Sequence, residues 1–350
     1  MVIIHIACIK DLVSSGVGVV VPQHVSNQQK IEEVGFINIS NIHIGIENQF
    51  EYKSNLKISS LPHPFSKPDL VVFHEIYYLE YIRLYMHLNN MKIPYIVIPH
   101  GGLTLKAQAM KKLKKSIANI LLFNRYIDSA KSIHYLSKEE KEDSMISREC
   151  FVAPNGIRIN ERNTVNFKGN TIVFTYIGRI STYHKGLDLL IEAFRLVKSS
   201  GKKIELNIYG PECQDSDNLR KLIIEYNLQS LISINGRVSG NEKLNILRNT
   251  SFFIQTSRFE GMPMGVLEAL SYGIPCCVTK GTNLCDYISN YNAGWCCDSS
   301  IVEISDMINS VIFESFDYKS MSENAIRLIK ENFEWSLVAN KTIEQYKKYL

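Results

Sequence analysis

Residues 257–278 read S-R-F-E-G-M-P-M-G-V-L-E-A-L-S-Y-G-I-P-C-C-V. Glu260 and Glu268 stand eight positions apart, with Gly261, Pro263 and Gly265 between them. The run S-F-F-I-Q at 251–255 just upstream reads as a buried strand. Pro263 suits the first turn of a helix, where its missing N–H costs nothing. Glu268 then lies about one turn inside that helix, roughly 6 Å along its axis. Backbone N–H groups around Gly261–Gly265, with the positive end of the helix dipole, form an anion site. Two glutamates at a helix start are often mere caps. With two glycines and a proline between them, they suit a ligand carrying both phosphate and hydroxyls, as a nucleotide sugar does.

A chain of 350 residues accommodates two domains with separate cores. No stretch approaches 18 uncharged apolar residues, so no transmembrane helix is expected. The opening M-V-I-I-H-I-A-C-I-K lacks the layout of a signal peptide and reads as a first strand. Eight cysteines include the pairs Cys276–Cys277 and Cys296–Cys297 but no C-x-x-C. Zinc is therefore not expected, and reduced, buried thiols of a cytoplasmic protein are. The net charge of +4 is unevenly spread. Between Glu80 and Asp128 there is no acidic residue, while Arg83, Lys92, Lys106, Lys111, Lys112, Lys114, Lys115 and Arg125 all fall there. That block points to an anionic partner surface.

Strand and helix patterns alternate, which argues α/β with parallel sheets. Strands are expected at Val2–Cys8, Leu70–Phe73, Tyr95–Ile98, Ser132–Leu136, Thr171–Ile177, Ile204–Tyr209 and Leu231–Asn235. Helices are expected at Glu75–Asn89, Leu105–Phe123, Gly186–Val197 and Asp217–Tyr226. The polar segment Asn155–Asn170 reads as a linker. Ligands in such sheets bind at the carboxyl ends of strands. Gly178 and Arg179, Gly210, Arg237 and Val238, and Arg258–Gly261 all fall just after expected strands.

The E-x7-E spacing resembles the signature of retaining glycosyltransferases, and the run Tyr176–Phe194 (Y-I-G-R-I-S-T-Y-H-K-G-L-D-L-L-I-E-A-F) resembles the matching segment of glycosyltransferase family 4. P-N-G-I at 154–157, Y-G-P at 209–211 and N-G-R-V at 235–238 follow the family's order. The resemblance spans residues 150–335 and is weaker upstream, resting there on Gly16/Gly18 and P-H-G-G at 99–102. It implies a GT-B fold, two Rossmann-like domains facing across a cleft. The first would be an acceptor-side domain, residues 1–155 joined by a returning helix at 335–350; the second, residues 156–334, would bind the nucleotide sugar.

Arg179 and Lys185 are the expected phosphate clamp, because fixed cations stabilise charge developing on a departing nucleoside diphosphate. Arg can fork onto two oxygens and Lys adds a movable point charge. Both are expected to face the cleft, with little part in folding. Glu268 suits a ribose diol, since a carboxylate accepts from vicinal hydroxyls. The resemblance sets Glu260 against the sugar ring and implies donor contacts from Gly178, Gly210, Val238, Gly261, Met262, Met264 and Gly265. His100, in I-V-I-P-H-G-G-L, matches a donor-facing histidine of the family. His74 is either a core histidine or one lining the acceptor side. Gly16 and Gly18 would let a first loop approach the diphosphate, although three valines and Pro22 follow where the family has a clean helix.

The resemblance thus implies a retaining, metal-independent glycosyltransferase with no cofactor beyond its nucleotide-sugar substrate. It further implies a saccharide or lipid-linked oligosaccharide acceptor, in bacterial surface polysaccharide synthesis of O-antigen or capsule type, and no nucleic-acid partner. The segment Leu105–Phe123 is amphipathic, with Met110, Leu113, Ile117, Ile120 and Leu121 on one side. Its lysines suit either a solvated back or the inner face of an anionic membrane. The rival readings are a nucleotide-sugar epimerase or a phosphorylase on the same architecture, and a non-catalytic nucleotide-sugar-binding subunit of a membrane complex.

Overall fold

Short β-branched runs without charges make strands that must be covered on both faces, and in an alternating chain these assemble as parallel sheets. The computed structural model describes residues 1–10, 16–109, 112–144, 146, 148–159, 171–197 and 203–350, and divides into two units. Met1–Gly156 with Trp335–Leu350 forms the first, and Ile157–Glu334 the second.

The first unit holds β1 (Val2–Ala7), β2 (Glu33–Asn38), β3 (Gln49–Glu51), β4 (Leu70–His74), β5 (Tyr95–Ile98), β6 (Ser132–Tyr135) and β7 (Cys150–Val152). All pair in parallel, in the order β3-β2-β1-β4-β5-β6-β7. On one face an aromatic core gathers on Phe73, whose ring lies 4.9 Å from Tyr81 and 5.4 Å from Tyr126. The helix Trp335–Lys347 packs on the helix Gly16–Gln28. Trp335 lies edge-on to His24 at 4.8 Å, and Lys347 reaches Glu32 at 2.7 Å. The second unit holds β8 (Thr171–Ile177), β9 (Lys203–Tyr209), β10 (Ile232–Asn235), β11 (Phe252–Gln255), β12 (Cys276–Thr279) and β13 (Gly294–Cys297). These too are all parallel, in the order β10-β9-β8-β11-β12-β13.

Several expectations change. Gly16 and Gly18 lie in a helix rather than a phosphate-binding loop, and Gly18 is buried in it. The expected helix at Glu75–Asn89 starts at Leu79, because Glu75 takes a left-handed φ of 66° and Tyr78 is an extended N-cap. Leu105–Phe123 is helical wherever it is described, over Leu105–Ala109 and Lys112–Ala118, and passes into a π-turn at Asn119–Phe123 that runs on into the helix Asn124–Ser129, with Met110 and Lys111 outside the described residues. A π-turn shifts helical phase by inserting one residue, so Phe123, Tyr126 and Ile127 are buried while Leu113, Ile117, Ile120 and Leu121 are exposed. Most of the expected linker, residues 160–170, lies outside the described residues, whereas Asn155 is buried and bonds His24 at 3.1 Å. The structure joins Cys285 and Cys296 as a disulfide with Cα atoms 5.4 Å apart, where all eight cysteines had read as thiols. Cys285 begins a helix beside β13, so packing rather than spacing brings the two sulfurs together.

The first unit also buries unusual polar cargo. His5, His24, His74 and His134 are almost without exposure. Burial lowers their pKa values, to about 3 for His5, about 4 for His24 and about 3 for His134, with His74 well below the ordinary value. An unfolded chain binds these protons below about pH 6.5 while the folded chain does not, so each removes up to about 1.4 kcal/mol of stability per pH unit on acidification. Glu140 opposes them: burial raises its carboxyl to about 7, so it gains stability as pH falls through that value. One carboxyl does not offset four imidazoles. The urea midpoint should therefore fall between pH 7 and pH 5; a constant or rising midpoint would contradict neutral burial of these rings.

Candidate active site

Chain order in the second sheet reverses between β8 and β11, and loops leaving such neighbours diverge to leave a crevice at their carboxyl ends. Gly178 and Arg179 follow β8, and residues 256–263 follow β11. Gly210, after β9, lies so close that an added Cβ would come within 2.3 Å of the Gly178 carbonyl oxygen. The turn at 181–186 folds over these ends and is strapped to the second loop. Thr256 Oγ1 donates to the Gly186 carbonyl at 2.9 Å, and Arg258 N donates to that of His184 at 3.0 Å. Gly186 caps the helix Leu187–Leu196 with φ of 62°, and any Cβ there would strike the Thr256 carbonyl.

Lys185 consequently lies just outside that helix, and its ammonium donates to Glu260 Oε1. The same oxygen accepts from Ser257 Oγ at 2.7 Å and Gln255 Nε2 at 3.0 Å. Asn283 Nδ2 holds the Glu260 carbonyl at 2.7 Å. Burial alone would push the Glu260 carboxyl up, but Lys185, His184 and Ser257 together hold it below the ordinary carboxylate value. It is thus an ionised carboxylate, largely buried, with Oε1 taking all three of these hydrogen bonds. His184 Nε2 lies 3.9 Å from Glu260 Oε2, and its Nδ1 meets Arg179 Nη2 at 3.1 Å. The His184 ring stacks on Phe259 with centroids 4.4 Å apart, and burial lowers its pKa despite Glu260. Arg179, Lys185 and Glu260 therefore form one cluster through His184, a residue that lies inside the Tyr176–Phe194 run but was not singled out there.

Glu268 lies in the helix Met264–Ser271 and pairs with Lys243 from the helix Gly240–Arg248, a partner the sequence did not suggest. Pro263 is the N-cap of Glu268's helix, not its first residue, and its carbonyl accepts from Val266 N at 3.1 Å. Met262 is buried, Gly261, Met264 and Gly265 are half-buried, and Val238 is half-buried in the turn after β10. Arg258 forks onto Asp188 with two bonds of 2.7 Å and lies 4.5 Å from the centre of the Tyr183 ring. His100, Gly16 and Gly18 belong to the first unit. His100 takes a left-handed φ of 49°, and the next N–H, of Gly101, donates to Glu140.

Residues 157–328, nearly all of the second unit, match the family of glycosyl transferases group 1. Over 246 residues the chain is 28% identical to an uncharacterized glycosyltransferase of Methanocaldococcus jannaschii, covering 69% of this chain and 58% of that one. It is 24% identical over 291 residues to GDP-mannose:cellobiosyl-diphosphopolyprenol alpha-mannosyltransferase of Xanthomonas oryzae pv. oryzae, covering 79% of this chain and 73% of that one. Among solved structures, Anabaena HepE in complex with UDP-glucose superposes with a TM-score of 0.73 at 15% identity, covering 99% of this chain and 100% of that one. This likeness shows the GT-B fold. The chain spans 58%, 36% and 29% of the lengths of three curated relatives it matches.

The geometry changes one expectation about folding. Lys185 and Glu260 are 14% and 9% exposed in their side chains, so the pair has a part in the fold of the second unit. Removing one partner of a buried pair leaves an uncompensated charge and costs about 3–5 kcal/mol. Lys185→Ala should lower stability toward that range in urea titrations, and adding Glu260→Gln should restore much of the loss. Equal stability of Lys185→Ala and the parent would show that the carboxylate is not committed to this ammonium.

Proposed function

We propose that this protein transfers a sugar from a nucleoside diphosphate sugar to a hydroxyl of a saccharide acceptor, with retention at the anomeric carbon. The observation that carries this reading is the Arg179–His184–Lys185–Glu260 cluster at the switch point of β8 and β11. In the proposed reaction the bond from C1 to the diphosphate oxygen breaks as negative charge moves onto the diphosphate. Arg179 and Lys185 stabilise that charge without reorganising. The acceptor oxygen bonds C1 on the same face, and its proton passes to the departing diphosphate. A diphosphate leaves without a protein acid of the glycosidase kind, which suits a Glu260 held ionised. Ionised beside the donor, Glu260 offsets positive charge on the ring, while Glu268 takes the ribose hydroxyls with Lys243 steadying it. The two cations do the work that a divalent metal does in other transferases.

A lipid-linked oligosaccharide is the proposed acceptor, in bacterial surface polysaccharide assembly. The Xanthomonas relative supports this, since by name it acts on a diphosphopolyprenol-linked cellobiose. Radiolabel transfer from a panel of nucleotide sugars to a lipid extract tests the function. We expect label in lipid with excess EDTA present, and Arg179→Ala should lower turnover about 10²–10³-fold, the cost of one preorganised charge stabiliser. Isomerised donor without transfer, or loss of activity on chelation with recovery on adding Mg²⁺, would refute the respective parts.

Membrane contact is proposed through the lysine-rich segment. Leu113 and Ile120 are 77% and 72% exposed, with Leu105, Ile117 and Leu121 also open and the exposed Lys106, Lys112 and Lys114 among them, whereas the Lys115 ammonium turns back to the Ala107 carbonyl. Exposed leucines and isoleucines interleaved with lysines suit an anionic lipid interface, each lysine adding about 1 kcal/mol near the surface. No helix is long and apolar enough to cross a membrane among the described residues. Changing Lys112 and Lys114 to Gln and Leu113 and Ile120 to Ser should release the protein from phosphatidylglycerol vesicles in sedimentation. Undiminished binding by that variant at low and high salt would reduce the segment to an ordinary solvated surface.

A further inference from the structure

A column of histidines inside the first unit has no part in the cation cluster. His5 lies on β1, His74 ends β4 and His100 follows β5. His5 Nε2 is 2.9 Å from Gln28 Oε1, His5 Nδ1 is 2.9 Å from His74 Nε2, and His74 Nδ1 is 3.0 Å from His100 Nε2. The rings stack in sequence, with centroids 5.2 and 5.3 Å apart and planes 28° and 26° from parallel. Nitrogens this close share a proton and leave no room for a metal ion, which needs about 2 Å to each ligand.

A neutral imidazole has one N–H and one lone pair, so the choice at one end of such a column fixes it at every ring. Burial keeps these rings neutral, with His5 and His100 lowered to about 3. The neighbours add no charge at neutral pH: His24, 6.0 Å from the His74 ring, and His134 are themselves lowered by burial, and the Tyr346 phenol is raised by it. The Gln28 carbonyl oxygen can only accept, so His5 donates from Nε2. Its Nδ1 then accepts from His74 Nε2–H, and His74 Nδ1 accepts from His100 Nε2–H. His100 is left with a lone pair on Nδ1, to which nothing donates among the described residues. The ring is half-buried, and Glu140 fixes the backbone at its base through Gly101.

We propose that Gln28, His5 and His74 are positioning residues that lock His100 in its Nε2–H tautomer, so that its Nδ1 accepts a hydrogen bond from a hydroxyl of the sugar substrate. The proposal rests on the sugar-transfer reading. The lone pair selects the ligand chemistry: it attracts an O–H and repels a phosphate oxygen. His5 and Gln28 act through His74, and their effect reaches the substrate only as the protonation pattern of His100.

Long-range proton–nitrogen NMR of the full chain labelled with ¹⁵N-histidine reads the tautomer directly. We expect His100 as pure Nε2–H in the parent and in Gln28→Glu, whose carboxylate also accepts from His5. Gln28→Leu and His74→Phe should give a mixed tautomer at His100, and kcat should fall about tenfold, the scale of one net hydrogen bond, with little change in donor KM. Gln28 meets His100 only through two intervening rings, so a change there reports the column rather than packing, and Gln28→Glu controls for folding. An unchanged His100 tautomer in Gln28→Leu would overturn the lock. A tautomer that responds while Gln28→Leu and His100→Ala both turn over at the parental rate would overturn the substrate contact. Absence of transfer by the parent chain itself would remove the transferase reading, and the NMR arm would still decide the lock.

Discussion

A carboxylate buried beside the end of a parallel sheet cannot stand alone, because an isolated charge in that setting would neutralise or drive the loop out into water. Glu260 is such a group, and the second unit is arranged around satisfying it. Lys185 supplies the opposite charge, Ser257 and Gln255 fill one oxygen, and Asn283 holds the backbone from β12's side. To put Lys185 there, the chain must turn sharply between β8 and the helix at 187, which is why Gly186 is left-handed and lies against the Thr256 carbonyl. The ion pair therefore ties together the ends of two strands that are neighbours in space but far apart in sequence. The proposed function inherits that geometry, since the cations it would offer to a diphosphate are positioned before any ligand arrives.

The first unit meets the same demand with neutral groups. Its sheet interior carries imidazoles where an ordinary α/β core would carry valine, and each needs a polar partner that water cannot supply. The solution is to let the rings satisfy one another, with Gln28 at one end of the column. His24 turns to Asn155 and His134 to the Ala153 carbonyl. The last helix closes this region with Trp335 and Tyr346. Acid lability follows from that choice: a column of uncharged bases is stable only while it stays uncharged.

Much of this was legible in the sequence, and the failures share a cause. The alternation of strands and helices, the glutamate spacing and the run from Gly178 to Phe194 are local patterns, set by contiguous residues. The partners that complete the site are not local. Lys243 reaches Glu268 across 25 positions and Asp188 meets Arg258 across 70, and neither lysine nor aspartate carries any mark of its partner in the sequence. Strands β2 and β12 hid for a different reason. Gly35 and the paired cysteines at 276–277 look like breaks or thiol chemistry, whereas Gly35 makes room for the rings of Phe50 and Phe65 and the cysteines are small buried strand residues. In the lysine-rich segment the sequence left open which face is buried. The π-turn at 119–123 shifts the phase, so Phe123 and Tyr126 are buried while Leu113, Ile117, Ile120 and Leu121 stay outside.

The charge balance of the cluster explains why Glu260 belongs there at all. Arg179 and Lys185 bring two positive charges, Glu260 removes one, and His184 stays neutral because burial lowers its pKa. A net charge of about +1 suits the proposed transfer, in which binding energy is better realised as the charge develops. An ammonium has three donors. One is committed to Glu260, which fixes where the other two point without consuming them. Had the partner been a solvated side chain, Lys185 would be free to follow any anion, and its stabilisation would be spent on binding the donor instead of on breaking its bond. Holding the cation by a buried, ionised carboxylate thus converts a flexible point charge into a preorganised one, and in the proposed transfer it leaves that carboxylate beside the place where the sugar ring would become positive.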